Sequence, residues 1–75
     1  MELKDMVRMA NQIADFNRAY PHDEAVKETA DHISRFWEPR MRKAFFDHIA
    51  KGGEGLDPLV REAAALVRKL KPEAA

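Results

Sequence analysis

Histidines next to aspartates are the residues of this chain that most suggest acid–base chemistry. Of the three histidines, two directly follow an aspartate, as Asp31-His32 and Asp47-His48. A carboxylate that contacts an imidazole can tune it for proton transfer. Both pairs fall in helical patterns, where successive side chains point about 100° apart, so the partners do not face each other. For His48, which lies in an apolar arc, we favour a structural role with the ring hydrogen-bonded inside the fold.

Other catalytic and ligand-binding patterns are missing from the sequence. There is no HExxH metal motif, and the only serine, Ser34, is not in a GxSxG turn. The stretch GGEG is not followed by Lys-Ser or Lys-Thr, and Asp57 just beyond it would repel a phosphate. The chain has no cysteine to ligate an iron–sulfur cluster. We therefore expect a protein that is not an enzyme and that binds no cofactor or metal of its own.

The stretch RFWEPRMRKAFFDH, at positions 35–48, crowds large rings and arginines together. In a packing interpretation, Phe36, Trp37 and Phe45 close the corner between two helices, and arginine stems cover them. In a binding interpretation, tryptophan and arginine contact another protein, because both residue types are enriched in binding hot spots. Phe45 lies in the middle of an apolar stripe, which favours packing. Trp37 and Phe46 lie at stripe edges and fit either interpretation, and the arginines also fit a solvated face.

Helices account for every element that the sequence predicts. Apolar residues recur with helical spacing, and no segment alternates apolar and polar residues as a half-buried strand would. We predict an all-α fold, a small bundle of four short helices that forms a single domain over residues 1–75. The predicted helices run at about 3–19, 23–36, 39–51 and 58–70.

Prolines, glycines and one aspartate set the predicted helix boundaries. Pro21 disfavours helical geometry at the residue before it and ends the first helix. Pro39 suits the first turn of the third helix, and the glycines of KGGEG tolerate the left-handed conformation that ends it. Asp57 can cap the fourth helix, and Pro58 suits its first turn.

The first helix carries more apolar surface than a small bundle can cover. Its apolar side runs from Leu3 to Tyr20 and spans about half of the circumference, which is wider than the usual stripe. Apolar surface that a fold leaves uncovered often marks a partner site. We therefore predict that a partner protein contacts the margin of this helix and the aromatic–arginine stretch. The predicted contact residues are Met9, Tyr20, Arg35, Trp37, Arg40, Met41, Arg42 and Phe46.

The charge balance narrows the possible partners. Thirteen basic and thirteen acidic residues give a formal net charge of zero. A nucleic-acid binder usually has a basic excess, so we expect no nucleic-acid partner, although the turn between the second and third helices superficially suits a helix-turn-helix. No apolar run approaches the roughly 20 residues of a membrane span. We expect no membrane partner and, since neither a signal-peptide pattern nor a cysteine is present, a cytoplasmic protein.

Three segments together resemble a known family. VRMANQIADFNRAYP, ADHISRFWEPRMR and GGEGLDPLVREA are similar to the delta subunit of the cytosolic, NAD-dependent, molybdenum-containing formate dehydrogenases, and they cover most of positions 7–64. The middle segment is the most specific. Glu38 stands where the family pattern has an aspartate, which weakens the expected cap of the third helix. Asn17 stands where family members often carry an aromatic residue, which slightly narrows the apolar side of the first helix.

The resemblance implies a role that the residues alone do not show. Such a delta subunit is a small, non-catalytic member of a complex. The alpha subunit of that complex holds a bis-molybdopterin guanine dinucleotide cofactor (bis-MGD) with molybdenum, together with iron–sulfur clusters. The beta subunit carries FMN and reduces NAD⁺, and the gamma subunit adds a further cluster. The implied partner of this chain is therefore the catalytic alpha subunit, and the implied cofactors all belong to other subunits.

Two roles remain open at this point. In the first, the chain is an accessory subunit that docks on the catalytic subunit, stabilises it and supports formation of active enzyme. In the second, it is a transient maturation chaperone that assists bis-MGD insertion and is then released. A marginal core and a mixed-charge surface would suit the weaker contact of the second role.

Overall fold

Four α-helices joined by short connections make up the fold. The computed structural model describes the backbone of residues 2–70 and the side chains of residues 2–67. The helices are α1 (Leu3–Asn17), α2 (His22–Phe36), α3 (Pro39–Ala50) and α4 (Pro58–Leu70), and the described residues contain no strand. The predicted all-α bundle is confirmed, with helix ends shifted by one or two residues. The single domain over residues 1–75 stays a prediction, since residues 1 and 71–75 lie outside the described part.

The helix ends have local causes that the sequence mostly predicted. Glu38, before α3, makes no side-chain capping hydrogen bond, as its poor capping chemistry indicated. Gly53 adopts a φ of 64°, and its N–H donates to the carbonyl of His48 at 2.9 Å, which terminates α3. Asp57 caps α4, because its Oδ1 accepts the N–H of Leu59 at 2.9 Å.

Small residues let the helices approach closely around one buried cluster. α2 and α4 form the most extensive helix pair, and α1 packs on α2. Alanines make up much of the cluster, and α3 contributes a single buried residue, Phe45. The buried apolar residues are Met6, Ala10, Ala14, Ala25, Val26, Ala30, Ile33, Trp37, Phe45, Leu56, Leu59, Val60, Ala63, Ala64 and Val67.

The corner between α2 and α3 is built on Trp37 and Phe45. The Trp37 side chain is almost fully buried and the Phe45 ring is fully buried. The two rings meet edge to face with their centroids 5.7 Å apart, a geometry that is favourable beyond its apolar burial. Arg42 closes the corner from α3, because its Nη1 donates to the carbonyls of Ser34, at 3.2 Å, and of Trp37. These carbonyls lie at the end of α2, where backbone C=O groups have no N–H partner within the helix.

Phe36 takes no part in this corner, which corrects one element of the packing interpretation. α2 ends at Phe36, and the backbone of Trp37 is extended, with φ −83° and ψ 136°. The chain therefore changes direction between the two rings. The indole turns into the core, whereas the Phe36 ring stays outside and is 70% exposed. The packing interpretation is right for Trp37 and Phe45 and wrong for Phe36.

Phe45→Ala should leave the protein largely unfolded at room temperature. Removing a fully buried phenylalanine costs about 3–5 kcal/mol, which is comparable to the whole stability of so small a core. Phe36→Ala is the matched control and should change the free energy of unfolding by less than about 1 kcal/mol. Far-UV circular dichroism without urea detects the unfolding of Phe45→Ala, and urea unfolding measures the free energy of unfolding of Phe36→Ala against the wild type. Equal destabilisation by the two variants would contradict the placement of one ring inside and one outside.

Candidate partner-binding surface

Four large apolar side chains remain exposed in the described part of the chain. Phe16 is 80% exposed, Phe36 70%, Leu3 52% and Tyr20 44%. Three of them come from α1 or from the turn that follows it. The wide apolar side of α1 therefore leaves apolar surface in water, as its pattern predicted.

The largest of these rings lie along a groove between α1 and α2, which we call the α1–α2 groove. It has a volume of about 530 Å³ and is open to solvent along one side. Its lining residues recur at helical spacing on both helices, so the groove follows the two helices lengthwise. They are Met9, Gln12, Ile13, Phe16, Asn17, Tyr20, Glu28, Asp31, His32, Phe36 and Trp37.

A second groove lies between the start of α1 and α3. It has a volume of about 560 Å³, and we call it the α1–α3 groove. Phe36 lines both grooves, so its exposed ring stands between them. We call the two grooves with this ring the aromatic face. The α1–α3 groove is lined by Glu2, Leu3, Met6, Phe36, Glu38, Arg40, Met41 and Ala44.

Five of the eight predicted contact residues line the aromatic face. Met9, Tyr20 and Trp37 line the α1–α2 groove, and Arg40 and Met41 line the α1–α3 groove. Trp37 is only 4% exposed, so its indole offers a partner little surface. The binding interpretation therefore needs correction at this residue, because the indole packs inside the corner between α2 and α3. Whether a partner contacts the other four stays a prediction.

The remaining three predicted contact residues lie outside both grooves. Arg35 is exposed, and its Nε donates to Asp31 at 3.0 Å. Arg42 is half-buried, and its guanidinium is engaged with the carbonyls at the end of α2. Phe46 is half-buried and packs against Phe45, with ring centroids 5.5 Å apart. For Arg42 the structure thus provides an internal role that the sequence analysis did not foresee.

Two exposed phenylalanines of the aromatic face were not among the predicted contacts. Phe16 is its most exposed ring, and Phe36 is the ring shared by both grooves. A signal for Phe16 was present, since it lies on the over-wide apolar side of α1. Phe36 had a weaker signal at the edge of the α2 stripe, and only the direction of the chain at Trp37 decides that it faces outward.

The two Asp–His neighbours do not form pairs, as the helical geometry predicted. Asp31 accepts from Arg35, and Asp47 lies 3.5 Å from the Lys43 ammonium. The Nε2 atom of His48 is 2.7 Å from the carbonyl oxygen of Glu54, to which it donates. This hydrogen bond confirms the structural role expected for His48.

The remaining histidines also have neighbours of their own. His32 packs against the Phe36 ring at 4.9 Å within the α1–α2 groove. His22 pairs with Glu62 at 2.9 Å, and this hydrogen bond raises the pKa of the imidazole. Among the side chains of residues 2–67, no group of three His, Asp or Glu residues is placed to hold a metal ion.

A polar clamp holds the loop between α3 and α4 against α1. The side-chain amide of Asn11 donates to the carbonyl of Gly55 and accepts the N–H of Asp57, both at 2.9 Å. Arg18 reaches the same aspartate with Nη2, at 2.7 Å from Oδ2. The hydrogen bonds from Arg18 and from the Leu59 N–H hold the pKa of the Asp57 carboxyl below its ordinary value.

The comparison with known families identifies where the chain belongs. Residues 5–64 match the model of the NADH-dependent formate dehydrogenase delta subunit FdsD, which is most of the chain. The chain belongs to this family. The predicted resemblance is thereby confirmed. No curated protein and no solved structure matches the chain.

The FdsD match includes most of the surface described above. Phe16, Glu28 and Phe36 lie inside the matched residues, as does the loop clamp, whereas Leu3 lies just before them. Among the described residues, every helix is too short or too polar to span a bilayer.

Substitutions at Asp57 should separate the helix cap from the ion pair in this FdsD chain. Asp57→Asn keeps an acceptor for the Leu59 N–H but loses the charge that Arg18 faces. Asp57→Ala loses both and should be less stable than Asp57→Asn by about 1 kcal/mol, the usual value of a cap. Urea unfolding at neutral pH measures the difference. Equal stability of the two variants would mean that the cap contributes nothing.

The stability contribution of the Asp57 charge should also depend on pH. The folded state lowers the pKa of this carboxyl, so the contribution is present above the ordinary aspartate value and is lost as pH falls through the folded pKa. The stability gap between the wild type and Asp57→Asn should therefore narrow on acidification below about pH 4. Unfolding curves across the acidic range test this, and a gap that stays constant would contradict it.

Proposed function

We propose that this chain is a non-catalytic accessory subunit of a formate dehydrogenase complex and that it docks on the catalytic alpha subunit through the aromatic face. Membership of a delta-subunit family supports its place in the complex. The main observation in support of docking through this face is that the side chains of Phe16 and Phe36 are 80% and 70% exposed. Docking would remove both rings from water, which is favourable by about 25 cal/mol per Å² of apolar surface buried.

In this proposal the redox chemistry belongs to the other subunits. Bis-MGD with molybdenum and iron–sulfur clusters lies in the alpha subunit, FMN in the beta subunit and a further cluster in the gamma subunit, all in the cytoplasm. This chain stabilises the alpha subunit and supports formation of active enzyme. A non-catalytic role is supported by His48, whose ring donates to the backbone carbonyl of Glu54 rather than to a carboxylate.

The composition of the aromatic face favours a lasting contact over a transient one. Permanent interfaces are more hydrophobic than those of partners that separate. A chain released after cofactor insertion would return Phe16, Phe36 and Leu3 to water, where such patches invite aggregation. We therefore place the permanent subunit ahead of the transient chaperone.

The double variant Phe16→Ser/Phe36→Ser should lose its place in the complex. Aromatic anchors at the centre of an interface are worth about 2 kcal/mol or more each, so the loss of both should weaken binding by about a thousandfold. The experiment purifies the complex through a tagged alpha subunit and measures the retained small chain by native mass spectrometry. Stoichiometric retention of the variant would overturn docking through this face.

A matched control replaces two exposed residues of α4 that line neither groove. Arg61→Ser/Ala65→Ser should be retained as the wild type is, and circular dichroism should show all three proteins folded. Loss of the control variant with retention of the aromatic one would place the interface on α4 instead.

Native mass spectrometry of the wild-type complex should find the small chain as a stoichiometric subunit. A lasting contact through a hydrophobic face gives slow dissociation, so the chain should survive purification. If active complex instead lacks the chain, and deletion of the chain yields alpha subunit poor in molybdenum and pterin, the transient chaperone is the correct role.

A further inference from the structure

The chemistry of the α1–α2 groove specifies what it binds. We infer that this groove receives a segment of the catalytic subunit that presents apolar side chains next to at least one lysine or arginine. The inference rests on the proposed function and deepens it, because it assigns one part of the aromatic face and states the chemistry of its occupant.

The shape of the groove suits a lengthwise protein segment. Met9, Ile13, Phe16 and Tyr20 form one wall at helical spacing along α1 and the turn after it, and His32 and Phe36 stand on the α2 side. Apolar side chains of a partner can insert between such walls at matching spacing. A small molecule is a poor fit, because small-molecule sites bury most of their ligand and this groove is open along its side.

Both charged residues that line the groove are acidic. Glu28 and Asp31 line it, and no lysine or arginine does so among the described side chains. Asp31 is already paired with Arg35, whereas Glu28 makes no ion pair with any described residue. A basic side chain of the partner would therefore find its counterpart in Glu28. The α1–α3 groove differs, because Arg40 accompanies the carboxylates of Glu2 and Glu38 there.

The same charge argues against three other occupants. A second copy bound with this groove on the two-fold axis would bring Glu28 of one chain towards Glu28 of the other, and like charges facing each other disfavour association. Nucleic acid and anionic lipid are disfavoured as well, because these carboxylates would repel their phosphates. A partner with both apolar and basic side chains satisfies the rings and Glu28 together.

The test is a charge reversal at Glu28 in the full chain. Purified complex of the alpha, beta and gamma subunits, prepared without the small chain, is immobilised, and binding of each variant is measured by interferometry. Glu28→Lys should weaken binding about tenfold, mainly through faster dissociation, and Glu28→Gln should weaken it less. The affinity of the wild type should fall more steeply with added salt than that of Glu28→Gln.

Glu54→Lys is the matched control, since Glu54 is exposed, lies in the α3–α4 loop and lines neither groove. It carries the same charge change and should bind as the wild type does. Both lysine variants should keep the wild-type melting temperature, because neither Glu28 nor Glu54 has a side-chain ion pair among the described residues. A fall in binding that is equal for the two variants would show a non-specific charge effect and overturn the inference.

The remaining outcomes separate this inference from the proposed function. If Glu28→Lys binds as the wild type does while Phe16→Ser/Phe36→Ser does not, the basic occupant is wrong and docking through the aromatic face stands. If the wild type itself fails to bind, the proposed function is wrong. If sedimentation shows that the free wild-type chain dimerises and that Glu28→Lys changes the dimer, the groove is an interface between copies, which also overturns the inference.

Discussion

The packing of Trp37 against Phe45 is the contact on which the placement of α3 and the exposure of Phe36 depend. α3 contributes only one fully buried side chain, so its position relative to α2 rests on that edge-to-face contact and on Arg42, which binds the carbonyls at the end of α2. The extended backbone at Trp37 turns the indole inward. The same change of direction leaves the neighbouring Phe36 outside. A single change in backbone direction thus places one ring in the core and the next on the surface.

Size explains why apolar surface remains on the outside. A chain of 75 residues buries a smaller fraction of its surface than a larger domain does. Six of the fifteen buried apolar residues in the described part of the chain are alanines, which lets the helices pack together but leaves no room inside for every ring. Polar contacts compensate in part, since Asn11 and Arg18 hold the start of α4 against α1. Phe16 and Phe36 therefore stay exposed, and the proposed docking would cover them.

Because the chain belongs to the FdsD family of formate dehydrogenase delta subunits, other subunits of such a complex are the natural candidates to contact this surface. In the proposed accessory role this chain contributes by contact, and contact requires a surface that is better buried than exposed. The aromatic face meets that requirement. The two grooves also differ in the charged residues that line them. In the further inference this difference favours a basic segment of another subunit over a second copy of the chain, which apolar surface alone would not do.

The sequence by itself determined the four helices, their boundaries to within two residues, the cap at Asp57, the structural role of His48 and the family. These features depend on periodicity, on proline and glycine geometry, and on motifs, all of which act within a few residues of the chain. Only the tertiary structure decided which rings face outward. Trp37 and Phe36 are adjacent and similar in character, and both lie at the edges of one stripe. Their burial depends on where α3 packs after the break, and Arg42 acts across that same corner, so neither outcome follows from local spacing.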